Sequence, residues 1–208
     1  IGLGGYRAHA KALEQIGTDA DCTRAGQASY SSWLELVPAG PVALRIAVHP
    51  GDRMSATLSV AGHQVTLRLR DASTGQHLVK RLRMKRVDVS SAEWIVEAPS
   101  RCEAKCQTLA LTDFGSASFT GAAAKTRDGH TGSLGDAAWS TTRLILRQNT
   151  SAGGEARHAG AAAARQVLAT PGEAAEDGAF SVLWSQLDAP SRTEEEATPP
   201  PTLGGEGS

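Results

Sequence analysis

Residues 54–70 read MSATLSVAGHQVTLRLR and alternate apolar with polar side chains on both sides of an Ala61-Gly62 break. The apolar positions of the two halves are Met54, Ala56, Leu58 and Val60, followed by Val65, Leu67 and Leu69. Successive side chains of a β-strand point to opposite faces of the sheet. The stretch therefore predicts two half-buried strands joined by a short turn.

The same alternation extends in both directions from this hairpin. Residues 42–48 are apolar at every second position and end in a His-Pro-Gly-Asp turn at 49–52. Further strands are predicted at 144–146 and 180–184. Short strands separated by turn residues at this spacing are typical of a β-sandwich or a β-barrel, so we predict an all-β chain.

Composition excludes several classes of protein. The chain has 208 residues, with 21 Lys and Arg against 22 Asp and Glu, a formal net charge of -1. A general nucleic-acid binder needs a basic surplus to neutralise phosphates, so nucleic acid is not an expected partner. No apolar run approaches the roughly 18 residues that cross a bilayer, so a membrane is not expected either.

The two ends and one internal segment differ from the rest of the chain. We predict one domain over residues 1–188, with a low-complexity insertion around 151–176 that is rich in Ala, Gly and Glu. Residues 189–208 contain three consecutive Glu and three consecutive Pro and predict a disordered tail. Because the chain begins at Ile1, inside an apolar strand pattern, we expect that N-terminal strands are missing.

Two features had alternatives that the residues alone leave open. The basic stretch from Leu78 to Val89 is interpreted as an edge strand protected by positive charge, with a binding patch as the alternative. Cys102 and Cys106 could close a small disulfide loop or remain thiols, with Cys22 left over. The six His show no metal-ligand spacing, so we predict no metal site and no cofactor.

Two stretches carry polar side chains on predicted strand faces. Read as a strand, residues 91–99 place Glu93, Ile95 and Glu97 on one face, and Trp94 and Val96 on the other. Around residue 15, Gln15, Gly17 and Asp19 share a face, as do Trp33 and Glu35. Taken singly, such side chains are usually solvated positions or core packing.

Their order along the chain changes this interpretation. The motifs are Gln-x-Gly-x-Asp at 15–19, Trp-x-Glu-x-x-Pro at 33–38, Pro-Gly-Asp at 50–52, Ala-Glu-Trp-Ile-Val-Glu-Ala-Pro at 92–99 and Asp-Phe-Gly at 113–115. In this order and spacing they resemble the glutamic peptidase family, the eqolisins, and look closest to bacterial members. The resemblance covers roughly residues 1–124, and residues 180–187 fit the family's last strand.

The resemblance implies an antiparallel, concanavalin-like β-sandwich and an acid-active endopeptidase of polypeptide substrates. It places the catalytic residues at Gln15 and Glu97, and residues that line the substrate cleft at Asp19, Trp33 and Glu35. A carboxylate can take a proton from a water that attacks a peptide carbonyl, and a side-chain amide can stabilise the oxyanion. It also implies secretion, since most members are secreted.

Two positions depart from the family pattern. The family's Trp-Val-Gly-Ile-Asp-Gly segment has Gly4 here in place of Asp, which removes an expected neighbour of Gln15. The last Tyr of its Trp-Tyr-Glu-Trp-Tyr-Pro segment is Val37. Both changes favour an alternative function, a catalytically impaired sandwich that binds carbohydrate or protein.

Overall fold

The computed structural model describes residues 1–7, 9–23, 25–102, 106–147 and 167–185, and these contain strands but no helix. The strands are β1 (Gly2–Gly4), β2 (Leu13–Cys22), β3 (Ala28–Val37), β4 (Val42–Ala43), β5 (Met54–Ala61), β6 (Gln64–Asp71), β7 (His77–Arg83), β8 (Ala92–Glu93), β9 (Ser100–Cys102), β10 (Cys106–Thr108), β11 (Ser116–Phe119), β12 (Ala123–Lys125), β13 (Thr131–Ser133), β14 (Leu146–Arg147), β15 (Val167–Pro171) and β16 (Phe180–Trp184). Every pairing between them is antiparallel.

Two sheets form the part of the molecule that matters most for function. The first has the strand order β4-β3-β2-β1-β8, and the second has the order β5-β6-β7. A third sheet, β11-β16-β15-β14, and two hairpins, β9-β10 and β12-β13, follow along the chain. The strands predicted from residues 54–70 are β5 and β6, which pair in register from Met54↔Asp71 to Ala61↔Gln64.

The first two sheets pack their apolar faces against each other, which makes the predicted sandwich. Ile16 and Leu34 of the first sheet and Val65 and Leu67 of the second are buried in one core cluster. Since side chains alternate along each strand, the residues between these point away from the core. Each sheet therefore has a solvent-facing side that is free to carry polar groups.

Two predicted strands are shorter than expected. Residues 42–48 form a strand only at Val42–Ala43, although Ile46 is still buried and accepts a hydrogen bond at 2.8 Å from the Ser32 hydroxyl. Residues 91–99 form a strand only at Ala92–Glu93, because β8 pairs with β1 at Leu3↔Ala92 and Gly2↔Glu93 and has no described strand beside its continuation. Exposure still alternates there, with Ile95 and Glu97 exposed and Ala98 buried.

The remaining predictions about organisation have mixed outcomes. Among the described strands, β7 lies at one edge of the second sheet, as predicted for the basic stretch, but it ends at Arg83 and does not continue to Val89. The segment predicted as an insertion at 151–176 needs correction, because Val167–Pro171 form β15 and bury Leu168 and Ala169. Residues 151–166 and the predicted tail at 189–208 lie outside the described residues.

The structure gives the positions of the three cysteines and bears on the membrane prediction. Cys102 and Cys106 lie opposite each other in the β9-β10 register, while Cys22 is a free, exposed thiol. In the part of the chain that the structure describes, no helix has the length and apolar character needed to cross a membrane.

Candidate active site

Gln15 and Glu35 are the best-defined pair among the predicted site residues. They lie directly opposite each other in the β2-β3 register, and the Gln15 Nε2 atom donates a 2.7 Å hydrogen bond to Glu35 Oε2. Both point away from the core, since their neighbours Ile16 and Leu34 are buried in it. One amide proton of Gln15 is thereby used, and its second N–H and its carbonyl oxygen remain for a ligand.

Trp33 and Asp19 lie beside this pair on the same side of the sheet. Trp33 pairs with Gly17, and a Cβ at residue 17 would lie 3.3 Å from Cζ2 of the indole. The absence of a side chain at Gly17 therefore lets the indole lie across the strand. Asp19 accepts a 3.2 Å hydrogen bond from the Ser31 hydroxyl.

The carboxyl of Asp19 has a shifted protonation equilibrium. Partial burial raises its pKa, the hydrogen bond from Ser31 lowers it, and the nearby charge of Asp21 raises it again. The Trp33 indole N–H has no partner within hydrogen-bond geometry, yet it lies close enough to favour the charged Asp19 slightly.

Glu93 lies two strands away from Gln15 on the same face. Gly2 of β1 pairs with Gln15 on one side and with Glu93 on the other. Gly2 therefore places no side chain between Gln15 and Glu93. The Ser91 hydroxyl donates a 3.0 Å hydrogen bond to Glu93, and burial is the main cause that raises the pKa of this carboxyl.

Glu97 follows β8 and lies among the other carboxyls of this face. Desolvation raises its pKa first and the negative charge of Glu35 raises it next. The Ile1 ammonium lowers it, and Asp19 and Glu93 raise it by smaller amounts. Water still reaches Glu97, so its loss of hydration is partial. The structure therefore brings Glu97 into electrostatic contact with the carboxyl that holds Gln15. We call this side of the sheet, with Asp19, Glu35, Glu93 and Glu97, the carboxyl face.

Asp88 explains why residue 4 is a glycine and not the aspartate of the family pattern. Gly4 has a φ of 78°, and a Cβ there would lie 2.5 Å from the Asp88 Cβ and 2.7 Å from its carbonyl oxygen. Since a positive φ and a backbone clash both disfavour a side chain, residue 4 cannot carry a carboxyl in this arrangement. The family's carboxyl at this position has no equivalent side chain here.

Glu14 is a buried carboxyl that was not among the predicted site residues. It precedes Gln15, points into the core and is fully buried; its Oε1 accepts a 3.2 Å hydrogen bond from the Asp88 backbone N–H, and its Oε2 has no partner. Burial is the main cause that raises the pKa of Glu14 to about 7. The signal was present, because Ala12, Glu14 and Ile16 occupy alternate positions and only the middle one is charged.

Other polar clusters and grooves do not add to this site. Among the described residues, no group of three or more His, Cys, Asp or Glu is arranged to hold a metal ion. A groove of about 510 Å³ lies instead on the third sheet, where β11 and β16 meet, and is lined by Ser118, Phe119, Phe180 and neighbouring residues. We place the site on the carboxyl face because its amide and carboxyl groups interact with one another there.

The fold and this geometry define a class: an antiparallel β-sandwich that carries an amide and several carboxyls on the solvent-facing side of one sheet. A sequence model of the peptidase A4 family matches residues 1–157. The chain belongs to the peptidase A4 family and is a hydrolase of the peptidase class. The resemblance to the glutamic peptidases is thereby confirmed. No curated protein sequence gives a significant match.

Solved structures show the same fold. Aspergilloglutamic peptidase from Aspergillus niger superposes with a TM-score of 0.67 at 24% identity, over 88% of this chain and 95% of that chain. Scytalido-glutamic peptidase, solved with a peptide-based transition-state analogue, gives a TM-score of 0.66 at 19% identity, over 88% of this chain and 80% of that chain. At these identities the likeness shows the β-sandwich, and the residue roles rest on the local geometry.

Proposed function

We propose that the protein is an acid-active glutamic endopeptidase in which Glu97 is the general base and Gln15 stabilises the oxyanion. The observation that carries this proposal is the link through Glu35. This carboxyl accepts a hydrogen bond from Gln15, and its charge acts on Glu97. The amide and the candidate base therefore share one neighbour.

Each group has a defined part in the proposed reaction. The Glu97 carboxylate takes a proton from a water as the water oxygen attacks the carbonyl carbon of the substrate peptide. The free N–H of Gln15 donates to the oxygen that becomes negative, because Glu35 already holds the other N–H. The protonated Glu97 then gives its proton to the leaving amine as the C–N bond breaks.

The pH dependence follows from the direction of the Glu97 shift. A general base must be ionised, so activity falls as pH drops through the pKa of Glu97, which lies above the ordinary value for a glutamic acid. The returning proton must also be available, which disfavours high pH. We therefore expect activity in the acid range. The aromatic Trp33 and the Asp19 carboxyl are the proposed cleft-lining residues beside this dyad.

A denatured protein substrate at a series of pH values from 3 to 7 tests the proposal. We expect Glu97→Gln to reduce the rate of cleavage by at least about a hundredfold at every pH, the scale of general-base loss. Glu93→Gln is the matched control, since Glu93 lies on the same face and is not assigned a proton transfer. Undiminished cleavage by the Glu97 variant would overturn its role, and a loss in the Glu93 variant alone would move the base to Glu93.

The alternative, a sandwich that binds but does not cleave, has a specific observation in its favour. Asp88 excludes a side chain at residue 4, so the carboxyl that the family has there is absent. Binding of a peptide to the wild-type protein at pH 4, with no cleavage at any pH, would establish this alternative. Secretion remains a prediction from the resemblance.

A further inference from the structure

The second sheet carries four of its five Lys and Arg side chains on the side opposite to its core contacts. Strands β5, β6 and β7 contain five Lys or Arg residues and one carboxylate, Asp71, which is fully buried and accepts a 2.5 Å hydrogen bond from the Thr74 hydroxyl. Val65, Leu67 and Leu69 of β6 face the core, so Arg68 and Arg70 face solvent.

The register places these cations in a line. The β6-β7 pairs on the solvent-facing side are Gln64↔Arg83, Thr66↔Arg81, Arg68↔Val79 and Arg70↔His77. Each pair contributes one arginine, and successive pairs are roughly 6.8 Å apart, so the line extends over roughly 20 Å. All four arginines are exposed, and no ion pair involving them is found among the described residues. We call this line the arginine face.

The surroundings of the arginine face restrict what it could bind. Hydroxyls of β5 lie beside it, since Ser55 pairs with Arg70, Thr57 with Arg68, and Ser59 with Thr66. A groove of about 330 Å³ runs past Arg68, Arg70 and His77. Strands β5–β7 contain no Phe, Trp or Tyr, so the face lacks the stacking platform on which single-stranded nucleic acids bind.

We propose that the arginine face binds an anionic polysaccharide that carries sulfate esters. Guanidinium groups hold tetrahedral oxyanions through paired hydrogen bonds, and the flanking Ser and Thr hydroxyls can bond to sugar hydroxyls. A regular line of exposed cations suits a linear polymer with repeated charges better than a single small anion. The choice of sulfate over carboxylate rests on the proposed acid activity, because carboxylates become partly protonated at the acid end of that range and sulfate esters do not.

Binding of dextran sulfate at pH 4 and low salt tests this proposal, with uncharged dextran as the comparison polymer. We expect dextran sulfate to bind, with an affinity that falls steeply as salt rises, and dextran not to bind. Arg81→Thr should weaken binding about fivefold or more. In the double variant Arg68→Thr and Arg81→Thr, the slope of log K against log salt concentration should become shallower by about two, because about two fewer ions are released on binding. Threonine suits an exposed strand position, and unchanged thermal unfolding would show that the fold is retained.

Lys80→Thr is the matched control. Lys80 precedes Arg81 and pairs with Leu67, so it points to the other side of β7 while its removal changes the net charge equally. We expect less than a twofold effect from this variant. Equal weakening by both variants would overturn the arginine face as a site, and tighter binding of an oligothymidine than of dextran sulfate would assign the face to nucleic acid. Polygalacturonate that binds as tightly at pH 4 would overturn the choice of sulfate.

Failure of this proposal can be told apart from failure of the proposed hydrolysis. Glu97→Gln is expected to bind dextran sulfate with unchanged affinity, because Glu97 belongs to the other sheet. An inactive protein that binds the polymer leaves the arginine face supported. An active protein that does not bind it removes the arginine face alone.

Discussion

The carboxyl face and the arginine face are built from the same alternating strand pattern, yet they differ in how their charges are arranged. On the arginine face, each pair of residues along β6 and β7 carries one exposed arginine. On the carboxyl face, carboxyls share neighbours, and the pKa values of Asp19, Glu93 and Glu97 are all raised, chiefly by burial. Burial, with a smaller contribution from neighbouring like charges, disfavours the ionised carboxyls, and such shifted pKa values are typical of a reactive site.

The net charge of -1 does not reveal either charged face. The two faces lie on opposite sides of the sandwich, so their charges nearly cancel in the total while each remains locally strong. A site that must lose and regain a proton needs the crowded arrangement, whereas a surface that holds a charged polymer needs evenly spaced, accessible groups. Variants that act on one face and leave the other unchanged test this division.

Gln15→Ala should have the largest effect. It removes the proposed oxyanion donor and leaves Glu35 without its partner, so we expect kcat to fall by about 10² to 10³, the range for loss of one such donor. Steady-state kinetics on a peptide substrate measures this. Gln64→Ala removes the same side chain from the arginine face and should leave kcat unchanged. A Gln15 variant that changes only KM would assign Gln15 to substrate binding.

Glu14→Gln should have the next largest effect, on stability. The pKa of Glu14 is about 7 in the folded protein and about 4.5 when unfolded, so its contribution to stability is present below pH 4.5 and is lost as pH rises through 7. The loss amounts to roughly 3 kcal/mol above pH 7, and glutamine, which does not ionise, should avoid it. Urea unfolding at pH 4 and pH 8 measures the difference.

Glu173→Gln is the control for this comparison, since Glu173 is exposed and paired with Arg143 outside the core. We expect the free energy of unfolding of that variant to follow the wild type at both values. If Glu14→Gln gains no stability relative to wild type between pH 4 and pH 8, then the pKa of Glu14 is not raised in the folded protein.

The sequence predicts the regular part of the carboxyl face better than the irregular part. The alternation at residues 15–19 and 33–35 predicts that Gln15 shares a face with Asp19 and that Trp33 shares a face with Glu35, because a strand has a fixed period of two. The register that brings Gln15 opposite Glu35 comes from the pairing of β2 with β3. Residues 91–99 have the same alternation, but whether they pair depends on a neighbouring strand that is distant in sequence. Their strand is therefore much shorter than predicted, although Glu97 still faces the same side.

Burial was harder to predict from sequence than strand direction. Glu14 lies at a core position because β2 packs against the second sheet, and its pKa depends on how completely that sheet covers it. The clash between residue 4 and Asp88 likewise joins two segments that are 84 positions apart. Both features depend on tertiary packing, which alternation along one strand does not encode.

Glu35→Gln should have a smaller effect on rate and a clear effect on the pH profile. Glutamine can still accept the hydrogen bond from Gln15, so we expect kcat to fall by only about tenfold. The substitution removes the negative charge that raises the pKa of Glu97, so that pKa should decrease. The acid limb of kcat/KM should therefore move to lower pH. An unmoved acid limb would mean that Glu35 does not act on the base.

Arg68→Thr should have the smallest effect on catalysis. It tests whether the arginine face influences the reaction on the carboxyl face. Arg68 is exposed on β6, opposite Val79, and the other side of its sheet packs against the site sheet in the core. We expect kcat/KM on an uncharged short peptide to change by less than about twofold, and the free energy of unfolding by less than about 0.5 kcal/mol. Measuring the rate at low and at high salt is the decisive form of this experiment. If Arg68→Thr changes the rate at low salt only, the field of the arginine face reaches the carboxyl face through the sandwich, and the two faces act on one reaction. If it changes the rate at neither, they are independent sites on one scaffold, as their opposite orientations predict.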